Sequence, residues 1–358
     1  MFNRFAIAAT IYIVSSTSYH ANAHEDHKTD NKIIIEFSAT TKEERSKIAN
    51  LGYAIDQVMS DKVFITASKE DVEAIKTQGF DIKTRDYKAS FDKFIEFGPG
   101  MVKHSYSDVV RELEALSANN AQIMSLDSLG TSVEGRDVPL LRVSGLSRAA
   151  AQEAQVPVVM YTGCHHAREH LSVEIPLLFV KYLAEEYSKG NPTIKRLVDT
   201  RELYVSPIIN PDGHVYDFKG PKSRGRMWRK NRRSNSDGSK GVDLNRNYGF
   251  KWGTGGSSNN PRSDVFMGPN PFSEPETQNV KRFVDSQPRM TNFISFHTFS
   301  ELVLYPWGHS YDSVGEKIGT ELDLSVFQKM AQDMSAWNQY TPQQSSDLYI
   351  ASGDTTDW

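Results

Sequence analysis

The chain has 358 residues, of which 38% are hydrophobic and 24% charged, and its net charge is −4. That length holds two domains, or one large domain with an extension. The charge gives no reason to expect nucleic acid or an anionic membrane as a partner, and beyond residue 20 no apolar run is long enough to span a bilayer.

The first element is a processing signal. Arg4 precedes a mostly apolar stretch from Phe5 to Val14, and Ala21-Asn22-Ala23 supplies a small-residue cleavage site. Residues 1–23 therefore read as a signal peptide, with the mature chain starting near His24 in a secreted or periplasmic setting. The single cysteine, Cys164, forbids an intramolecular disulfide. It reads as a small buried residue at the end of an apolar strand.

Residues 24–31 are polar and read as a leader. A strand follows over 33–37, then a helix over 41–51 opened by Thr40 or Thr41 and stopped by Gly52. Strands are expected over 53–58 and 62–67. Ser68 is expected to cap a helix ending at Gly79, before a short strand over 80–83. This βαββαβ order fits a small α+β module of ferredoxin-like type. The charged stretch from Lys83 to Lys93 reads as a linker, with Arg85, Lys88 and Lys93 as protease sites. Module and linker occupy 24–93, and the main domain 94–358.

In the main domain strands and helices alternate. Val156 to Thr162 is an apolar run suited to a strand buried on both faces. Ser172 to Lys189 reads as a helix with Ser172 as N-cap, Pro176 in the first turn and Gly190 as stop. Further strands are expected over 203–209 and 293–296. The pattern argues for an α/β domain with a mixed, largely parallel central sheet flanked by helices. Sites in such sheets gather at the carboxyl ends of strands, where both the 163–169 segment and His297 fall.

His166 and Glu169 are three residues apart, so one tight turn can aim both at a single point. With His297 they make a His₂Glu set suited to zinc with an open fourth position, and such a zinc brings the pKa of its water towards neutrality. Arg168 adds a cation beside them. His166 to His170 also reads H-x-x-E-H, a pattern in which Glu169 is the base and His170 a ligand. That pattern needs a helix across the motif, whereas the preceding strand and the Ser172 cap place it in a turn. Four more segments carry chemistry: the turn Asn210-Pro211-Asp212-Gly213, the basic cluster Arg226 to Arg232, the loop Gly241 to Asn247, and the run Tyr349 to Trp358.

Together, and in this order, these segments resemble the zinc metallocarboxypeptidases, the family of carboxypeptidases A, B and T, from about residue 100 onward. The resemblance implies one Zn²⁺ held by His166, Glu169 and His297. It makes Arg229 the arginine that polarises the scissile carbonyl and stabilises the oxyanion. It assigns the substrate's free carboxylate to Asn245 and Arg246, a task that suits a guanidinium. Arg168 assists along the substrate path, Tyr349 closes over the bound C-terminus, and Asp243 orients a histidine ligand. The 32–83 module is similar to the family's pro-region, which shields the site until an activating protease removes it. In the family one position near the end of the Tyr349 segment sets side-chain preference. Here it is Thr356, with Asp354 two residues earlier, a combination that resembles the broad-specificity carboxypeptidase T and implies mixed apolar and basic preference.

The family's general-base glutamate lies on the next strand of the sheet, beyond the position of Trp358. The resemblance therefore implies a sheet lacking its last strand and a chain inactive as it stands. The expected function is an exported zinc exopeptidase precursor acting on peptide or protein C-termini. The alternatives are a non-catalytic zinc- or peptide-binding relative and an amidase acting on cell-wall peptides. Asn245 and Arg246 favour a substrate with a free α-carboxylate.

Overall fold

A computed structural model describes residues 7–12, 32–58, 62–86, 103–219, 226–298, 300–312 and 321–358. Strand β1 (Ile7–Tyr12) belongs to the larger of two sheets. The smaller sheet contains β2 (Lys32–Ser38), β3 (Ile55–Val58), β4 (Lys62–Ser68) and β5 (Ile82–Asp86). Its order is β3-β4-β2-β5, with every ladder antiparallel. Helix Lys42–Asn50 follows β2, and helix Asp71–Thr77 follows β4. This is the βαββαβ module expected from the sequence. Thr41 opens the first helix through a capping box with Glu44, which satisfies two backbone donors reciprocally. Ile48 and Ile75 then pack on Ile33, Ile35, Phe37, Val63 and Ile65.

Two local expectations change. Ser68 ends β4 instead of capping the helix, and its backbone N–H and hydroxyl both donate to the Asp71 carboxylate. Arg85 lies within β5 and pairs with Glu36, so it is part of the module and not of the linker. Lys88, Lys93, the 24–31 leader and the Ala21–Ala23 cleavage site lie outside the described residues. Limited trypsin digestion is therefore expected to cut first after Lys88 or Lys93, with Arg85 protected by its strand. A first cut at Arg85, or within 103–358, on an N-terminal sequencing readout would contradict this.

The larger sheet adds β6 (Met124–Thr131), β7 (Asp137–Val143), β8 (Val158–Thr162), β9 (Glu202–Ser206), β10 (Met290–His297), β11 (Leu302–Tyr305) and β12 (Thr341–Gln344). Its order is β12-β11-β1-β10-β8-β9-β7-β6. The ladders β1/β10, β10/β8, β8/β9 and β11/β12 are parallel, and β6/β7, β7/β9 and β1/β11 antiparallel. The sheet is thus mixed with a parallel centre, as expected. The expected gap is not observed. β1, drawn from the stretch read as a signal peptide, lies between β10 and β11 and completes the order. A short apolar run does not distinguish these two readings by periodicity.

Helices cover both faces. Helix Leu171–Ser188 turns Val173, Leu177, Val180 and Ala184 onto Val159, Leu203 and Val205, a stripe at helical spacing. On the other face Val280, from helix Pro275–Ser286, packs with Leu129, Leu140, Met160 and Phe293. Fully burying each such side chain contributes about 1.5–3 kcal/mol.

The helix after β8 starts at Leu171, so Ser172 is not its cap. Instead the Ser172 hydroxyl donates to the Glu169 carbonyl at 2.6 Å and accepts from the Cys164 N–H at 2.9 Å. Pro176 sits two residues further into the helix than a Ser172 cap would place it, and it cannot donate to the Ser172 carbonyl four residues before it. Gly163 packs against that same carbonyl oxygen so closely that any Cβ would collide with it. These contacts fasten the turn at 163–170 to the helix.

Candidate metal centre

The carboxyl ends of two neighbouring parallel strands build the site. β8 ends at Thr162, and the chain turns sharply through Cys164, which has a positive φ of 53°. A further turn, with the Glu169 N–H on the His166 carbonyl at 3.1 Å, points both side chains the same way. β10 ends at His297. His166 Nδ1 lies 2.7 Å from Glu169 Oε1, His297 Nδ1 lies 2.9 Å from Glu169 Oε2, and the two Nδ1 atoms are 3.2 Å apart. Among the described residues this is the group of three ligand-type side chains whose donor atoms converge, all within 4.8 Å and all buried.

Two imidazole nitrogens facing each other at that distance repel unless a proton or a cation lies between them. Two nitrogens and a carboxylate form a donor set that suits zinc. Burial pushes His297 below the usual histidine range, against the pull of Glu169, which favours the neutral ligand form. Burial alone would raise Glu169, but His166 and His297 together hold it well below the usual carboxylate range. For His297 and Glu169 both directions favour the neutral imidazole and the ionised carboxylate that a dication requires.

The His166 Nε2 lies 3.0 Å from Asp243 Oδ1, within hydrogen-bond distance of that carboxylate. Asp243 also accepts from Arg229 Nε at 2.9 Å and from the Asn245 N–H at 3.0 Å. Burial opposes its ionisation, and Arg229 and His166 more than offset that, holding it well below the ordinary range. Arg229 Nη1 stands 4.0 Å from Glu169. Asn245 and Arg246 sit in a short 3₁₀ turn that Asp243 caps. His166, Glu169, Arg229, Asn245, Arg246 and Tyr349 line one cavity.

Asp354 also lines that cavity, and burial, then Asp357, pushes it well above the usual carboxylate range. Thr356 is buried outside the lining. Of the basic cluster, Arg229 enters the cavity, while Arg226 and Arg232 stack on the Tyr216 ring at 4.8 and 3.8 Å. The 210–213 segment is the start of helix Pro211–Phe218, with Asn210 as N-cap, and not a free turn. His170 turns away from the metal donors and pairs with Asp217 at 2.7 Å, which removes the H-x-x-E-H alternative.

Two further participants carry no signal in the sequence. Asp56, on β3 of the small module, reaches Arg168 Nη2 at 2.8 Å, and Asp264 lies 3.4 Å from Arg168 Nη1. Residues Ile55 to Val58 line the cavity beside the metal donors, so the small module covers the site. A lone aspartate on an edge strand carries no local mark of such a role.

A zinc carboxypeptidase family profile matches residues 109–358. The chain belongs to the zinc carboxypeptidase family. A zinc carboxypeptidase of Saccharothrix mutabilis subsp. capreolus is 32% identical over 350 residues, covering 92% of this chain and 79% of that protein. Carboxypeptidase B of Astacus astacus is 34% identical over 212 residues, covering 58% of this chain and 65% of that protein, so the chain spans about two thirds of its length. The crystal structure of carboxypeptidase A from Helicoverpa armigera superposes with a TM-score of 0.73 at 24% identity, covering 92% of this chain and 86% of that one. The fold of this zinc carboxypeptidase is therefore shared along both the small module and the main domain. Among its described residues no helix is long and apolar enough to cross a membrane.

Proposed function

We propose that the chain is the precursor of an exported, zinc-dependent metallocarboxypeptidase that takes the free C-termini of peptides. The observation that carries this reading is the opening of His166, Glu169 and His297 into the same cavity as Arg229, Asn245 and Arg246. Zinc held by those three donors supplies a Lewis acid and brings the pKa of a bound water near neutrality. Arg229, fixed by Asp243, stands ready to stabilise an oxyanion. Asn245 and Arg246 offer donors for an α-carboxylate, Arg168 extends the cationic path, and Tyr349 closes over the bound end. The small module is the pro-region: Asp56 holds Arg168, and an activating protease that cuts in the 87–93 stretch releases it.

Among the described residues, the carboxylates lining the cavity are Asp56, Glu169 and Asp354. Glu169 belongs to the metal donors, Asp56 leaves with the pro-region, and Asp354 accepts the Asp357 N–H at 3.1 Å. None of them is a free general base beside the metal. Hydrolysis by this chain is then expected to run about 10²–10⁴-fold below a fully equipped enzyme, and the same observation favours a peptide-binding relative as the second reading. The test compares a peptide with its C-terminal amide after the pro-region is removed. The free acid should bind at least about tenfold more tightly, since the amide lacks the charge that Arg246 meets. Equal binding of the two would sink the reading in favour of an internal-amide amidase.

Asp354 is proposed as the partner of basic C-terminal side chains, with the uncharged Thr356 leaving room for apolar ones. Asp354→Asn should lower the affinity ratio of Arg-ending to Leu-ending peptides by roughly 10-fold, the scale of one lost charge-assisted hydrogen bond. An unchanged ratio removes Asp354 from the specificity role.

A further inference from the structure

The loop that supplies His166 also supplies His165, which is fully buried and has no place in the function argued above. His165 Nε2 lies 2.8 Å from the Tyr248 hydroxyl, and His165 Nδ1 lies 3.2 Å from the Ser295 hydroxyl. The same Ser295 oxygen lies 3.2 Å from His297 Nε2. Ser295 and His297 are two apart on β10, and strand alternation turns both to one face of the sheet. The His165 and His297 rings lie nearly parallel, with centroids 5.7 Å apart and planes 21° apart. Tyr248 is itself wedged between Phe272 and Trp358, with centroids 5.6 and 5.2 Å away.

The directions of these bonds follow from His297. Its Nδ1 faces Glu169 and His166, so that nitrogen needs a lone pair to serve as a ligand, and the ring hydrogen sits on Nε2. Asn245 Nδ2, 3.4 Å from that Nε2, carries hydrogens and cannot accept it, because the amide oxygen is turned to the Thr355 N–H at 2.9 Å. The Ser295 oxygen can. Its own hydrogen then points to His165 Nδ1, which leaves the His165 hydrogen on Nε2, donated to Tyr248. One assignment of hydrogens satisfies all three contacts.

We propose that Ser295, His165 and Tyr248 form a positioning chain that holds His297 in the tautomer and ring orientation needed for metal binding. The proposal rests on the metal-site reading. His165 touches neither the converging donor atoms nor the cavity lining; it acts through Ser295. A histidine that carries its hydrogen on Nδ1 cannot ligate through Nδ1, so whatever fixes the hydrogen on Nε2 sets the fraction of molecules ready for metal.

The test measures zinc affinity of the full chain by chelator competition, together with histidine side-chain ¹⁵N spectra of the wild type. Ser295→Ala and His165→Leu should each weaken zinc binding by roughly 10- to 100-fold, the range seen when such outer partners are removed. His165→Asn should recover part of the loss, since the amide oxygen can stand where Nδ1 stood and accept from Ser295. The wild-type spectra should show His165 with its hydrogen on Nε2. A hydrogen on His165 Nδ1 overturns the proposal, and this readout decides the matter even if a variant fails to fold. Wild-type affinity in a folded Ser295→Ala overturns the chain alone, while a wild type that binds no zinc removes the metal-site reading and the chain with it.

Discussion

Replacing His297 by alanine is expected to abolish tight zinc binding. The wild-type chain should retain about one zinc after dialysis, and the variant less than roughly a tenth of that, because two protein ligands rarely hold zinc tightly. In the metal-free chain, where Nδ1 is free to carry a hydrogen, His297 also helps to keep Glu169 ionised while buried. Its removal leaves that carboxylate with one histidine, so the metal-free variant should lose about 1–3 kcal/mol of stability. Metal analysis and urea unfolding of the two proteins check both parts. Full zinc retention in the variant would mean that the third donor lies elsewhere.

The contact between the small module and the metal-bearing domain is expected to loosen as pH rises from about 4 to about 7. Burial, opposed by Arg168 and reinforced by Asp264, pushes Asp56 up from its ordinary 3.8 to about 7. Arg229 also faces it and, like Arg168, favours ionisation. The docked state therefore binds a proton more tightly than the undocked state. Docking is strongest below the ordinary pKa, weakens through the interval between the two values, and is flat above pH 7. A shift of this size corresponds to a ceiling of ~4 kcal/mol. Hydrogen exchange of the Ile55–Val58 amides, corrected for intrinsic rates, should show protection at pH 8 lower than at pH 5 by roughly 10- to 100-fold, within that ceiling. Asp56→Asn should remove most of the difference. The same pH response in wild type and variant would assign the effect to another group.

The sequence made some of this arrangement readable and hid the rest for identifiable reasons. The first helix reads as opened by Thr40 or Thr41, and the structure makes Thr41 its cap, in a capping box with Glu44. His166, Glu169 and His297 were readable because metal ligands combine a short spacing with a strand end. Ser172 misled because its hydroxyl bonds backwards to the ligand turn, a tertiary demand that local propensity does not contain. Asp56 and Asp264 were invisible, since each meets Arg168 across a large sequence separation. For His165 the sequence leaves open a structural role or one behind the metal ligands, and only the Ser295 and Tyr248 contacts show what it faces.

The position of β1 has a consequence for processing. It meets β10 through six register pairs and β11 through three. A cut after Ala23 would convert this strand from a tethered segment into a separate peptide, held by the sheet only through mass action. The thermal midpoint of a chain lacking residues 1–23 would then depend on how much of that peptide is added, and a midpoint insensitive to it would show that the slot closes without β1. With the peptide gone, the unpaired backbone groups of β10 and β11 would offer a template to any extended chain. Since β10 ends in His297, occupancy of that slot and the seat of a metal ligand would be two readings of one equilibrium.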